Sequence, residues 1–214
     1  MPEHFMSKPL TFYTNPMSRG QIVRWALEET GAKYETVIVE FGSEMKGPDY
    51  LAINPMGKVP SIVHGDQVIT ECAAICAYLG EAFPENGLLP TATERSAYFR
   101  WMFFAAGPLE QAVISRALKL DVTADKAQTL GFGTYEDTID TLEGHFVKNA
   151  HVCGDRFTMA DVYVGSHIEW GMGFDTLPKR TAFEDYVGRI ASREAHKRAR
   201  AIDQALIAER EAAS

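Results

Sequence analysis

The sequence predicts an α/β N-terminal half followed by an all-α C-terminal half. Three observations lead there. Over roughly the first 80 residues, short runs of β-branched and aromatic residues alternate with helical periodicity in the order β-α-β, loop, β-β-α. The stretch from Pro84 to Pro90 then reads as a connector. Beyond Thr91 the apolar spacing is helical throughout. At 214 residues the chain suits one large domain or two small ones, with enough length to bury a real core.

Leu10-Thr11-Phe12-Tyr13 is short, apolar and aromatic, as a strand is, and Asn15-Pro16 marks the turn after it. Ile22, Val23, Ala26 and Leu27 recur at helical spacing up to Gly31, a C-terminal stop. Tyr34 to Phe41 alternates around Val37 and Val39, a second strand. Lys46 to Pro55 reads as loop with at most a short helix. Val59 to Val63 and Gln67 to Thr70 flank His64-Gly65-Asp66, a hairpin signal, and Glu71 to Phe83 is helical up to Pro84. A β-α-β unit followed by a hairpin and a helix is thioredoxin-like topology, assigned to residues 8–84. Residues 92–214 are expected to form a helical domain, with helices over Thr93 to Ala106, Leu109 to Leu120, Tyr135 to Lys148, Thr158 to Trp170 and Phe183 to Arg210. Gly107-Pro108 should break or kink the second of these. Arg189, Arg193, Lys197, Arg198 and Arg200 read as a solvated face of the last helix.

The formal charge of 21 − 29 = −8 argues against a nucleic-acid or anionic-membrane binder, which needs clustered basic charge. An anionic ligand must therefore meet local cations. No apolar run approaches the roughly 18 residues of a spanning helix. Met1 to Leu10 is polar, carries His4 and Lys8, and lacks a secretory apolar core. Cys72, Cys76 and Cys153 form neither a disulfide framework nor a zinc pattern, and the six histidines are scattered. A metal-free protein of the reducing cytoplasm is expected.

Four local signals carry the functional reading. Ser18, with Gln21 three residues on, has the spacing of a capping box, and Met17 with Ile22 that of a hydrophobic staple. A hydroxyl at a helix start can also donate to a thiolate. In Lys58-Val59-Pro60-Ser61 the proline suggests either a strand edge or a cis peptide, and a cis bond would turn the Val59 carbonyl and N–H toward a ligand. Glu71-Cys72 opens a helix: the acid complements the dipole, or takes an ammonium group while the Cys72 N–H takes a carboxylate. Thr158 with Asp161 is a second capping-box pair, with Phe157 and Val162 as staple, and is assigned to folding.

Taken together and in order, these motifs resemble the cytosolic glutathione S-transferase family, of bacterial type, over nearly the whole chain. The resemblance rests on Asn54-Pro55-Met56-Gly57-Lys58-Val59-Pro60, Thr70-Glu71-Cys72-Ala73-Ala74-Ile75 and Gly154-Asp155-Arg156-Phe157-Thr158-Met159-Ala160-Asp161. It implies glutathione as co-substrate, with the γ-glutamyl end on Glu71 and Cys72. The cysteinyl backbone would lie against Val59 ahead of a cis Pro60, and the glycyl carboxylate on Lys58. Cys72 stands where the family usually has serine, and a thiol is a poor donor, so the backbone N–H must do more of the binding. The resemblance also implies a homodimer.

The implied chemistry activates the glutathione thiol as a thiolate that attacks a small hydrophobic electrophile. Ser18 is the first candidate for activation, Tyr13 the second, and Arg19 adds positive charge. Phe12, Tyr98, Trp101, Met102 and Phe104 are candidates for the electrophile pocket, with Trp170 and Phe174 behind them; core packing is the competing reading for each. A peroxidase, reductase, isomerase or dehalogenase on the same scaffold shares the activated thiolate. A non-catalytic glutathione-binding regulator is a third class.

Overall fold

The computed structural model describes residues 8–120 and 122–213. The polar opening around His4 lies outside them. Two compact units are present: one ends at Leu89 and resumes at Ser192, and the other is Pro90–Ala191.

In the first unit β1 (Leu10–Thr14), β2 (Glu35–Ile38), β3 (Ser61–His64) and β4 (Gln67–Thr70) form one sheet in the order β2-β1-β3-β4. β1 runs parallel to β2 and antiparallel to β3, which pairs antiparallel with β4 across a short turn. The mixed sheet is the thioredoxin-like arrangement the element order predicts. β1 alternates as a strand with two different faces must, burying Leu10, Phe12 and Thr14 and leaving Thr11 and Tyr13 partly exposed. α1 (Gly20–Thr30) and α3 (Cys72–Ala82) supply Ile22, Leu27, Ile75 and Leu79 to the core with Phe12 and Ile62. α1 stops where expected, because Gly31 takes the left-handed cap at φ 64°. A short α2 (Pro48–Leu51) fills the loop before β3. β3 starts at Ser61, two residues later than the sequence predicts; Pro60 has no N–H to give a ladder.

The second unit holds α4 (Arg95–Phe104), α5 (Glu110–Ala117), α6 (Ala124–Ala127), α7 (Tyr135–Phe146), α8 (Met159–Gly173) and α9 (Thr181–Ala191). Gly107-Pro108 does not break the chain's helical course. A π turn over Ala105–Leu109 carries it from α4 into α5, a wider turn that accommodates the missing proline N–H. The capping box at α8 is formed. Asp161 is fully buried, and its carboxylate accepts from the backbone N–H of Thr158 at 2.8 Å and of Val152 at 2.8 Å, and from Tyr186 Oη at 3.0 Å.

Two expectations about the C-terminal end are corrected. The single helix over Phe183 to Arg210 is two, α9 and α10 (Glu194–Ala213), interrupted at Ser192 and Arg193. Serine favours caps over helix interiors, which fits the break. α10 also belongs to the first unit, against the expected helical domain over 92–214, because it packs on α1. The basic residues at the break and along α10 are accordingly not just solvated. Arg193 makes a bidentate pair with Glu29 at 2.6 and 2.7 Å, and Arg198 bonds Glu28 at 3.1 Å. Buried Arg24 of α1 donates to buried Asp203 of α10 at 3.1 Å and stacks over Phe12, 5.0 Å from the ring centre. Burial holds the Asp203 carboxyl above its ordinary range even beside that guanidinium.

Candidate functional site

Strand register brings the motif segments to one edge of the sheet. Tyr13 pairs with Ser61 and Ser61 with Thr70, so these residues form one row across β1, β3 and β4. The next residues outward are Thr14 and Asn15 on one segment, Pro60 and Val59 on the second, and Glu71 on the third. Three separate motifs thus leave the sheet at the same place.

The first segment is organised by Asn15, which is fully buried. Its Oδ1 accepts from the Met17 N–H at 3.0 Å, its carbonyl accepts from the Ser18 N–H at 3.0 Å, and its Nδ2 donates to the Val39 carbonyl at 3.1 Å. Gly20 starts α1 hard against β1: a Cβ there would lie 1.8 Å from Thr14 Oγ1, so no larger residue fits. The Ser18–Gln21 capping box is not formed. Ser18 Oγ donates to the Asn15 carbonyl at 2.7 Å and accepts from the Gly20 N–H at 2.9 Å, while Gln21 Nε2 donates to the Pro16 carbonyl at 2.6 Å. The helix begins two residues after Ser18, too late for the box geometry. Met17 is 67% exposed and forms no staple.

Asn54 organises the second segment in the same manner. Its Oδ1 accepts from the Met56 N–H at 3.1 Å, its carbonyl accepts from the Gly57 N–H at 2.7 Å, and its Nδ2 donates to the Lys58 carbonyl at 2.7 Å. Tyr50 Oη also donates to the Lys58 carbonyl, at 2.7 Å, and shares a 2.9 Å hydrogen bond with Ser61 Oγ. The Val59–Pro60 peptide is cis, one of the two alternatives the sequence leaves open. Val59 packs partly buried on Val39, Met45 and Tyr50, and Lys58 is exposed.

The third segment turns at Glu71, whose φ of 68° and ψ of 120° are unusual for a residue with a side chain and cost of the order of 1–3 kcal/mol. Glu71 is exposed, immediately before the first N–H groups of α3. Buried Cys72 donates from Sγ to the Arg19 carbonyl at 3.7 Å. That contact joins the start of α3 to the Ser18-Arg19 turn. Cys76, one turn on, is inert as a nucleophile here, since complete burial pushes its thiol well up.

Tyr13 occupies the opposite face of β1 from Phe12. Its ring lies 6.0 Å from that of Tyr50, beside a cavity of about 340 Å³ lined also by Val37, Val39 and Ile53. The aromatic pocket expected from sequence is corrected by burial. Phe12, Tyr98, Trp101 and Met102 are all buried: Phe12 lies under Arg24, and Trp101 packs on His145 at 4.4 Å and Phe104 at 5.0 Å. Core packing wins for these four. Phe104 and Trp170 keep partial exposure, and Phe174 is largely exposed.

Sequence reading missed Asn15, Tyr50, Asn54 and Ser61 as organisers of the site. The signal for the asparagines was present, since asparagine before proline favours a side-chain-to-backbone turn. Tyr50 and Ser61 carry no local signal, because their roles come from contacts across the fold. Among the described residues no three His, Cys, Asp or Glu side chains converge as a metal site, and no helix is long and apolar enough to cross a membrane.

The chain is similar to proteins of one family. Residues 8–81 match the glutathione S-transferase N-terminal domain family. Glutathione S-transferase 3 of Zea mays is 31% identical over 169 residues, covering 72% of this chain and 74% of its own. Glutathione S-transferase 1 of Dianthus caryophyllus is 33% identical over 161 residues, covering 68% and 69%. Among solved structures, the glutathione transferase of Methylococcus capsulatus str. Bath superposes with a TM-score of 0.76 at 25% identity, over 91% of this chain and 98% of that one. A sphingomonad glutathione S-transferase complexed with glutathione gives 0.71 at 26% identity, over 91% and 98%.

Proposed function

The chain belongs to the glutathione S-transferase family, and from that premise we propose that it activates the glutathione thiol for attack on a small hydrophobic electrophile. The observation that carries the residue assignments is the meeting of the Ser18 turn, Val59–Pro60 and Glu71 at one sheet edge. In this reading Glu71 takes the γ-glutamyl ammonium and the Cys72 N–H the adjoining carboxylate. Val59 pairs with the cysteinyl backbone, and Lys58 faces the glycyl carboxylate. The thiol then falls toward Ser18, whose turn is tied to the start of α3 through Cys72.

A thiol of pKa about 8.5 is only a few per cent ionised at pH 7. Lowering it by about two units makes the thiolate the major form, a differential stabilisation of about 2.7 kcal/mol. Ser18 can contribute part of this. Turning its proton away from the Asn15 carbonyl gives up a neutral hydrogen bond worth about 0.5–1.5 kcal/mol. A charge-assisted bond to a thiolate is roughly twice as strong, so the exchange favours donation. The backbone N–H groups at the start of α1 and the Arg19 charge add to it. The same proposal holds the protein to be a cytoplasmic, metal-free detoxifying enzyme that works as a homodimer. Phe99 and Phe103, exposed one turn apart on α4, are surface such an association would cover.

Steady-state conjugation of glutathione to an aryl halide, paired with calorimetry, tests the function. Turnover is expected, and Glu71→Gln should weaken glutathione binding about tenfold, the loss of about 1.4 kcal/mol for one charged hydrogen bond at an exposed position. Retention on immobilised glutathione without turnover would leave a binding protein, and unchanged affinity in Glu71→Gln would remove that residue from the site.

A further inference from the structure

The turn that carries Ser18 is held from two sides, and only the inner side is Asn15. On the outer side, Gln21 Nε2 donates to the Pro16 carbonyl at 2.6 Å, and Arg200 Nη1 of α10 donates to Gln21 Oε1 at 2.7 Å. We propose that Gln21 is a positioning residue for Ser18, and that Arg200 acts on the reaction through it. The inference rests on the reading of Ser18 as the thiol-activating residue.

The chemistry of the amide fixes which way round Gln21 sits. A glutamine presents a donor and an acceptor at opposite corners of one plane. If the amide turned over, its oxygen would face the Pro16 carbonyl oxygen and its NH₂ would face a guanidinium, two repulsive contacts. A cation at Oε1 therefore selects the orientation in which NH₂ meets Pro16. Arg200 can only donate, so it enforces that choice. The peptide so held lies between Asn15 and Ser18; Pro16 is buried, but the Met17 side chain that follows is 67% exposed, so the hydrogen bond from Gln21 supplies the tie on the outer side of the turn. The hydrogen bonds of this turn help fix where Ser18 Oγ sits, and small misplacements of a reacting group are costly in rate.

Other links between α10 and α1, such as Arg198 to Glu28, tie the same two helices without touching this turn. They provide the control for a merely structural role. The experiment is an ultraviolet titration of the enzyme-bound glutathione thiolate together with steady-state kinetics, on the full chain, with thermal unfolding recorded for each variant. Gln21→Met keeps the length and apolar stem and removes both polar corners. It should raise the bound-thiol pKa by about half a unit to one unit and lower kcat at pH 7 about three- to tenfold. KM for glutathione should stay within about twofold, because the tripeptide is held elsewhere. Arg200→Met should shift the pKa in the same direction by less, and Arg200→Lys should restore most of it. The double variant Gln21→Met/Arg200→Met should match Gln21→Met alone, as expected of residues acting in series. Arg198→Ala should lower the unfolding temperature and leave the pKa in place.

Ser18→Ala separates the role of Ser18 from that of Gln21. A shifted pKa in Ser18→Ala with none in Gln21→Met overturns the positioning role alone. No shift in Ser18→Ala overturns the Ser18 reading and this inference with it. Additive shifts in the double variant would show that the Arg200 charge acts on the thiolate directly, which overturns its action through Gln21. A shift in Arg198→Ala equal to that in Gln21→Met would reduce the effect to general loosening of α10 and also overturn the proposal.

Discussion

Asn15-Pro16-Met17 leads into α1 and Asn54-Pro55-Met56 leads into β3, and the two turns are built alike. In both, the asparagine is buried, its Oδ1 accepts from the methionine N–H, and its carbonyl accepts from the N–H three residues on. In both, the methionine side chain is 67% exposed. They differ in what the amide nitrogen holds. Asn15 Nδ2 reaches across to Val39, whose carbonyl has no second donor among the described residues. Asn54 Nδ2 reaches four residues along its own segment, to a Lys58 carbonyl that Tyr50 also serves. One local motif therefore serves a long-range anchor without backup in one place and a doubly held local turn in the other.

Asn15→Ala is the substitution expected to show that difference most. It strands the buried Val39 carbonyl and frees the Met17 N–H, at a cost of about 3 kcal/mol in urea unfolding. Because Ser18 hangs from the same turn, turnover should fall with stability. Asn54→Ala should cost less, about 1–2 kcal/mol, since Tyr50 keeps the Lys58 carbonyl paired. Adding Tyr50→Phe to Asn54→Ala removes the backup, and the double variant should exceed the sum of the single losses by about 1 kcal/mol. Equal losses for the two asparagines, or strict additivity in the double variant, would break the comparison.

The same contrast explains how much could be read in advance. Most of what matches the structure has local determinants. The period-2 run of β1, the stop at Gly31, the hairpin around Gly65-Asp66 and the Thr158–Asp161 box all depend on residues close in sequence. Distant determinants leave no such signal. Nothing near Arg200 in sequence says that it meets Gln21, and nothing near Tyr50 says that it meets Ser61. The aromatics failed for a related reason: helical spacing places Tyr98, Trp101 and Met102 on a helix face without saying whether that face looks into the core or into a pocket. The capping-box reading of Ser18 failed because one extra residue, Arg19, stands between it and the start of α1.

In this mechanism the hydroxyl on the α1 turn, and not the tyrosine on β1, lowers the thiol pKa. Titrating the ultraviolet absorbance of bound glutathione thiolate in the parent protein, Ser18→Ala and Tyr13→Phe tests it most directly. The expected result is a rise of one to two units, about 1.4–2.7 kcal/mol, in Ser18→Ala and no shift in Tyr13→Phe. A shift confined to Tyr13→Phe would contradict it and move the activating role to the strand.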